Sequence, residues 1–197
     1  MDNITSLIKN GNVNIIDIRP FEEYLKGHIP DSVLAPYTSD QWFHELSDFI
    51  KHSPKKILIV TDKLQVLPSF KEKLSGIRAD SEVVQYSELI KLEAISEASL
   101  GEIDVDTLIS DQDKWNIIDV REPFEWTTGV IPEAMMISMN DIPNNLPSLD
   151  KTKKYAVVCE HGNRSLYAAI YLADRGFKVA SVRDGMASYR MKKIPMD

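Results

Sequence analysis

The chain reads as an α/β protein made of two tandem copies of one unit, each a mainly parallel sheet flanked by helices on both faces. Two observations predict this. Short aliphatic runs of strand length alternate with stretches of helical length, and the runs are continuously apolar, as strands buried on both faces are. The sequence also repeats itself. Asn14-Ile15-Ile16-Asp17-Ile18-Arg19 recurs as Asn116-Ile117-Ile118-Asp119-Val120-Arg121, and Gly27-His28-Ile29-Pro30 recurs at the same offset as Gly129-Val130-Ile131-Pro132.

In the first copy Asn3 or Thr5 caps a short helix reaching Lys9, Gly11 ends it, and residues 13–18 form a buried strand. The run Ile57-Leu58-Ile59-Val60 supplies a further strand. Residues 93–103, polar and rich in small side chains, read as a linker, which sets the copies at 1–92 and 104–197. The second copy opens with Asp104 or Asp106 capping a helix through Ile109, followed by a strand over 116–120. Residues 155–158 form a buried strand and 166–173 a helix, which Gly176 stops by accepting a positive φ. Asp17 with Arg19, and Asp119 with Arg121, are expected as buried pairs tying a strand end to its loop.

The single cysteine, Cys159, closes the second aliphatic run and opens the loop Cys159-Glu160-His161-Gly162-Asn163-Arg164-Ser165. Ligands of parallel sheets bind beyond the carboxyl ends of the strands, which is where Cys159 falls. Gly162 lets the backbone curl, so successive N–H groups can turn toward the sulfur with a helix N-terminus behind them. Such a nest stabilises negative charge on sulfur and makes a nucleophile of the thiol. Arg164 either adds positive charge to the loop or braces its carbonyls from outside. The competing reading is a small buried hydrophobe at a strand end.

The loop Cys-x-x-Gly-x-Arg-Ser, the run from Asn116 to Trp126 and Gly129-Val130-Ile131-Pro132 together resemble the rhodanese sulfurtransferases. Val182-Arg183-Asp184-Gly185-Met186-Ala187-Ser188-Tyr189 looks like that family's closing Val-x-Gly-Gly-x-x-x-Trp, with Asp184 for the first Gly and Tyr189 for the Trp. The likeness covers nearly all of residues 104–190. In the first copy the matching loop is Thr61-Asp62-Lys63-Leu64-Gln65-Val66, without Cys, Gly or Arg. A hydroxyl cannot carry a transferable sulfur, so this copy is expected to be inert. The arrangement resembles the tandem rhodaneses, whose catalytic loop is also in the C-terminal copy.

The resemblance implies a sulfur relay with Cys159 as nucleophile, a persulfide intermediate and a substrate cradle of Glu160, His161, Gly162, Asn163 and Arg164. Donors would be thiosulfate, persulfide or mercaptopyruvate-type compounds, and acceptors cyanide or a thiol. No metal or organic cofactor is implied. His161 and Asn163 either contact substrate or face solvent. Glu160 departs from a family that is often basic at this position, and its carboxylate is expected to repel an anionic donor. Two other classes stay open: a phosphatase or arsenate-reductase-like enzyme of the same fold, and a non-catalytic binding or regulatory module. The phosphatases of this fold have a loop one residue longer.

The chain has 197 residues, enough for two modest cores. A net charge of -7 argues against a nucleic-acid partner, and Lys151-Thr152-Lys153-Lys154 reads as a solvated turn. No stretch has the length and apolarity of a membrane span or a leader, and one cysteine makes no internal disulfide, so a cytoplasmic setting is expected. The expected partners are a small sulfur compound or a protein persulfide. His28, His44 and His52 lack metal-ligand spacing and are expected at the surface or as caps; Trp42, Trp115 and Trp126 are expected to pack. Arg183 faces the loop or the surface, and residues 61–68 are candidates for one wall of the cleft.

Overall fold

The repeated Asn-Ile-Ile-Asp run is a central strand in each half of the chain, because its side chains are apolar on both faces and both faces are covered. The structure, a computed structural model, describes residues 2–37, 47, 50–63, 72, 74, 76, 81–92 and 95–193. It divides the chain into two units, Met1–Ala98 and Ser99–Asp197. Trp42, His44 and residues 64–68 lie outside the described residues.

In the first unit, α1 (Asp2–Lys9) leads through Gly11 into β1 (Val13–Asp17). Neither Asn3 nor Thr5 is a cap, since both lie inside α1, whose apolar side Ile4, Leu7 and Ile8 packs on the sheet. Gly11 takes φ 63° and Asn12 donates to the carbonyl of Leu7, closing the helix. After α2 (Phe21–Lys26) come β2 (Val33–Leu34), β3 (Lys56–Thr61) and β4 (Glu82–Gln85), and then α3 (Tyr86–Leu89). The strand order is β2-β1-β3-β4 with every pairing parallel. Alternation divides each strand between two cores: Ile16, Ile57 and Ile59 face one, while Val13, Ile15, Leu58 and Val60 face the other.

The second unit repeats this plan, with one strand more among the described residues. Its elements are β5 (Gly101–Ile103), α4 (Val105–Ser110), β6 (Asn116–Asp119), α5 (Pro123–Trp126), β7 (Met135–Met136), α6 (Ile142–Asn145), β8 (Lys154–Val158), α7 (Asn163–Asp174), β9 (Lys178–Val182) and α8 (Gly185–Lys193). The order is β5-β9-β8-β6-β7, again all parallel. Val105 and Leu108 of α4 and Met186 and Tyr189 of α8 cover Ala156, Val158 and Val182 on one face. The helix α7 packs on β8 and β9 and buries Ala168, Ala169 and Leu172. Asp104 is the cap of α4, accepting from the Thr107 amide at 2.8 Å. Gly176, at φ 81°, ends α7.

The stretch read as a linker is shared between the units. Ala98 bridges His28 in the first, and Gly101–Ile103 pairs with Ala180, Ser181 and Val182 as an edge strand of the second. Edge pairing is a backbone property, which explains why a polar stretch gave no strand signal. His28 is also corrected: it is fully buried, its ring stacked on Tyr24 at 3.9 Å and its Nδ1 donating to the Tyr24 carbonyl at 2.9 Å. His52 is exposed, and Trp115 packs against the second core. No described helix is long and apolar enough to cross a membrane.

The expected carboxylate–guanidinium pairs are present in both units. Arg121 and Asp119 are wholly buried and bonded two-pronged, Nε to Oδ1 at 3.0 Å and Nη2 to Oδ2 at 2.8 Å. Nη2 also donates to the Gly129 carbonyl at 2.7 Å, tying the end of β6 to the Gly-Val-Ile-Pro turn. Arg19 does the same with Asp17 and the Gly27 carbonyl, both at 2.6 Å. Removing one member leaves a buried charge without its partner, so Arg121→Ala is expected to cost about 3–5 kcal/mol in urea unfolding of the second unit.

Candidate active site

The loop after β8 is shaped from behind. The carbonyls of Cys159 and Glu160 accept hydrogen bonds from the amides of Met186 and Ala187, at 2.8 and 3.0 Å, in the first turn of α8. For α8 to start that close, the chain turns through two left-handed residues, Asp184 at φ 59° and Gly185 at φ 51°. Asp tolerates this region, which accounts for the departure from Gly at 184. Position 185 has no such freedom: a Cβ there would lie 2.1 Å from the Cys159 carbonyl oxygen.

Because a trans peptide points its N–H opposite its C=O, carbonyls directed at α8 turn the amides of Glu160 and His161 away from it. Among the described residues these two amides have no backbone acceptor. Asn163 and Arg164 begin α7, whose first amides have no partner inside the helix. Gly162, at φ 92°, closes the curl and donates its N–H to Cys159 Sγ at 3.2 Å. The cysteine is buried, yet its sulfur has polar company. It lies 3.6 Å from Ser165 Oγ, which donates to the Gly162 carbonyl at 2.8 Å and sits 3.1 Å from Ser181 Oγ.

Arg164 stands in the first turn of α7, beside the loop. Its Nη1 and Nη2 are both committed to Glu125 of α5, at 2.6 and 2.7 Å, so it braces the start of α7 against α5. The Arg164 hydrogen bonds hold the Glu125 carboxyl down to about 2, helped by the Glu122 amide and opposed by partial burial. Glu160 is likewise not a bare charge. Both of its oxygens are bonded by Arg190, and Arg121 Nη1 stands 3.4 Å from Oε2. The Arg190 bonds keep the Glu160 carboxyl below its ordinary range.

His161 and Asn163 are exposed, and so is Arg183. Beside Arg190 a groove of about 320 Å³ runs along Thr128, Gly129, Val130, Met186 and Tyr189. The residues that sequence reasoning missed are therefore the partners: Glu125 for Arg164, Arg190 for Glu160, Ser165 beside the sulfur with Ser181 behind it, and Gly185 beneath the loop. Glu125 lies 39 residues from Arg164 and Arg190 lies 30 from Glu160, spacings that carry no local signal. A signal for Gly185 did exist, since it is the one Gly of the closing motif retained. Among the described residues, no cluster of His, Cys, Asp or Glu could hold a metal ion.

The residues that build this loop and the doubled sheet match a known family model. The model of the rhodanese-like domain matches twice, over residues 2–87 and 104–192. The chain belongs to the rhodanese-like domain family. Bacillus subtilis YtwF is 37% identical over 106 residues, covering 54% of this chain and 98% of YtwF. The thiosulfate sulfurtransferase GlpE of Pseudomonas syringae is 36% identical over 75 residues, covering 38% of this chain and 71% of GlpE. A rhodanese-related protein of Thermoplasma volcanium, whose crystal structure is known, is 33% identical with a TM-score of 0.47, covering 48% of this chain and 95% of its own. The YtwF match spans 54% of this rhodanese-like chain and the GlpE match 38%.

Two expectations follow for the rhodanese-like loop. With its carboxyl lowered from an ordinary 4.5 to about 2, Glu125 stabilises the fold above pH 4.5, and that contribution is lost as pH falls toward 2. Glu125→Gln should therefore cost about 1–2 kcal/mol near neutral pH, after allowance for solvent screening, with the difference from wild type vanishing by about pH 2 in pH-dependent denaturation. Gly185→Ala, forced against the Cys159 carbonyl, should cost at least about 2 kcal/mol and lose the Met186 amide's protection from hydrogen exchange.

Proposed function

We propose that the second unit, residues 104–197, is a sulfurtransferase that carries a sulfane sulfur as a persulfide on Cys159, and that the first, residues 1–92, is catalytically inert. The observation that carries this reading is Cys159 Sγ, bonded by the Gly162 amide in a loop whose carbonyls are turned outward to α8. The names of relatives support it: a sulfurtransferase of Allochromatium vinosum, 29% identical over 101 residues, and the thiosulfate sulfurtransferase GlpE.

In the first half-reaction the Cys159 thiolate attacks the outer sulfur of a donor such as thiosulfate. The Cys159 S–S bond forms, the donor's S–S bond breaks, and sulfite leaves with the bonding pair. The new terminal sulfur is an anion, and the amides of Glu160, His161, Gly162, Asn163 and Arg164 are the donors available to it, acting as an oxyanion hole acts on oxygen. In the second half-reaction cyanide or a thiolate attacks that terminal sulfur, the persulfide bond breaks, and the Cys159 thiolate returns. Ser165 Oγ accepts from the Cys159 thiol at 3.6 Å, and Ser181 Oγ stands behind it at 3.1 Å. No step consumes an electron from outside the two substrates. A cytoplasmic location fits a mechanism that needs its thiol reduced.

Phosphate-ester chemistry is disfavoured by Arg164, because a guanidinium bonded two-pronged to Glu125 is not free to clamp a tetrahedral oxyanion. In the first unit Thr61 occupies the nucleophile's position and its hydroxyl accepts from the Lys63 amide at 3.1 Å.

Incubation with thiosulfate should raise the mass of Cys159 by one sulfur atom, and cyanide should remove that atom as thiocyanate. Cys159→Ser should abolish both. Transfer that survives Cys159→Ser, or hydrolysis of an aryl phosphate that depends on Cys159, would overturn the proposal.

A further inference from the structure

We infer that Arg190 is a specificity-determining residue: by neutralising Glu160 at the rim of the Cys159 loop, it lets the loop accept anionic sulfur donors. This rests on the sulfurtransferase reading of Cys159. Glu160 is the residue immediately after the nucleophile, and an unpaired carboxylate there would oppose any incoming thiosulfate-like anion. Two cations approach it. Arg121 contributes one contact at 3.4 Å, but that guanidinium is already balanced by Asp119, with both groups wholly buried. Arg190 has no second carboxylate partner among the described residues and bonds both oxygens of Glu160. It is therefore the charge that cancels Glu160.

Its position follows from the fold. Met186 and Ala187 hold the Cys159 and Glu160 carbonyls, and Arg190 is three to four residues further along α8, on the same face one turn on. The helix that shapes the loop's backbone thus also sets its charge. The Arg190 side chain is 33% exposed and lines the groove with Thr128, Gly129 and Val130, so it stays in reach of solvent anions. A chain with a basic residue after the cysteine would need no such partner; with Glu at 160 the positive charge is supplied across space.

The test compares two donors with the same type of outer sulfur and different charge: thiosulfate, a dianion, and benzenethiosulfonate, a monoanion. The rate of sulfur loading on Cys159 is measured by rapid mixing and mass spectrometry on the full-length chain. Arg190→Gln should lower kcat/KM for thiosulfate about tenfold more than for benzenethiosulfonate, and high salt should shrink that difference. The double variant Glu160→Gln with Arg190→Gln should bring the thiosulfate rate back to within about threefold of wild type, and Arg190→Lys should keep the donor ratio within about threefold. Equal slowing of both donors in Arg190→Gln, or no recovery in the double variant, would overturn the inference and leave Arg190 a structural brace. Absence of sulfur on wild-type Cys159 from either donor would instead overturn the sulfurtransferase reading, and this inference with it.

Discussion

The loop around Cys159 depends on two hydrogen bonds to its back, from the first turn of α8 to the carbonyls of Cys159 and Glu160. Peptide planarity does the rest, since a carbonyl fixed on one side commits the following amide to the other. The loop therefore has its donors turned away from α8 before any substrate arrives, and the cost of orienting them falls on folding rather than on the reaction. Gly185 is the residue that makes the approach feasible, because nothing larger fits between the start of α8 and the Cys159 carbonyl. The Glu125–Arg164 bridge braces the front of the same loop, and the Asp119–Arg121 pair holds the neighbouring turn.

The first unit shows which of these parts belong to the scaffold. Backbone bonds from Ile18 to Val60, Ala35 to Asp17 and Tyr37 to Ile18 match those from Val120 to Val158, Ile137 to Asp119 and Met139 to Val120. The buried ion pair is kept as well. What differs begins one residue past Val60. Thr61 remains in β3, paired with Gln85, whereas Cys159 has left β8 and entered the turn. Asp62, which follows it, accepts from the Ser87 amide at 3.1 Å and stands 4.0 Å from Arg19, so an acidic group still meets the arginine of the pair. Arg19 itself lies over the Tyr86 ring at 3.4 Å. The sheet and its anchors persist where the cysteine does not.

Much of this was legible in the residues. Continuous apolar runs gave the central strands because strands covered on both faces admit little else, and the repeat gave the duplication. Cys159, Gly162 and the helix after them were readable because a curl with a left-handed residue needs glycine at a definite place. The electrostatic partners were not. Glu160 reads as a repulsive charge, and Arg164 as a charge on the loop or a brace for its carbonyls, because an isolated loop sequence does not contain Arg190 or Glu125. Ion-pair choice is set by which helices the fold brings together, and both partners come from helices remote in the chain. The edge strand Gly101–Ile103 escaped for a similar reason, being held by backbone pairing and not by apolar side chains. His28, expected at the surface or as a cap, is buried because it stacks on Tyr24 and pairs with Ala98.

The central claim is that main-chain amides hold the negative sulfur. It is tested most directly by amide NMR of the chain before and after Cys159 is loaded with sulfur. The N–H resonances of Glu160 to Arg164 should move downfield on loading and return when cyanide unloads the protein. Loading confirmed by mass with those five resonances unmoved would contradict it.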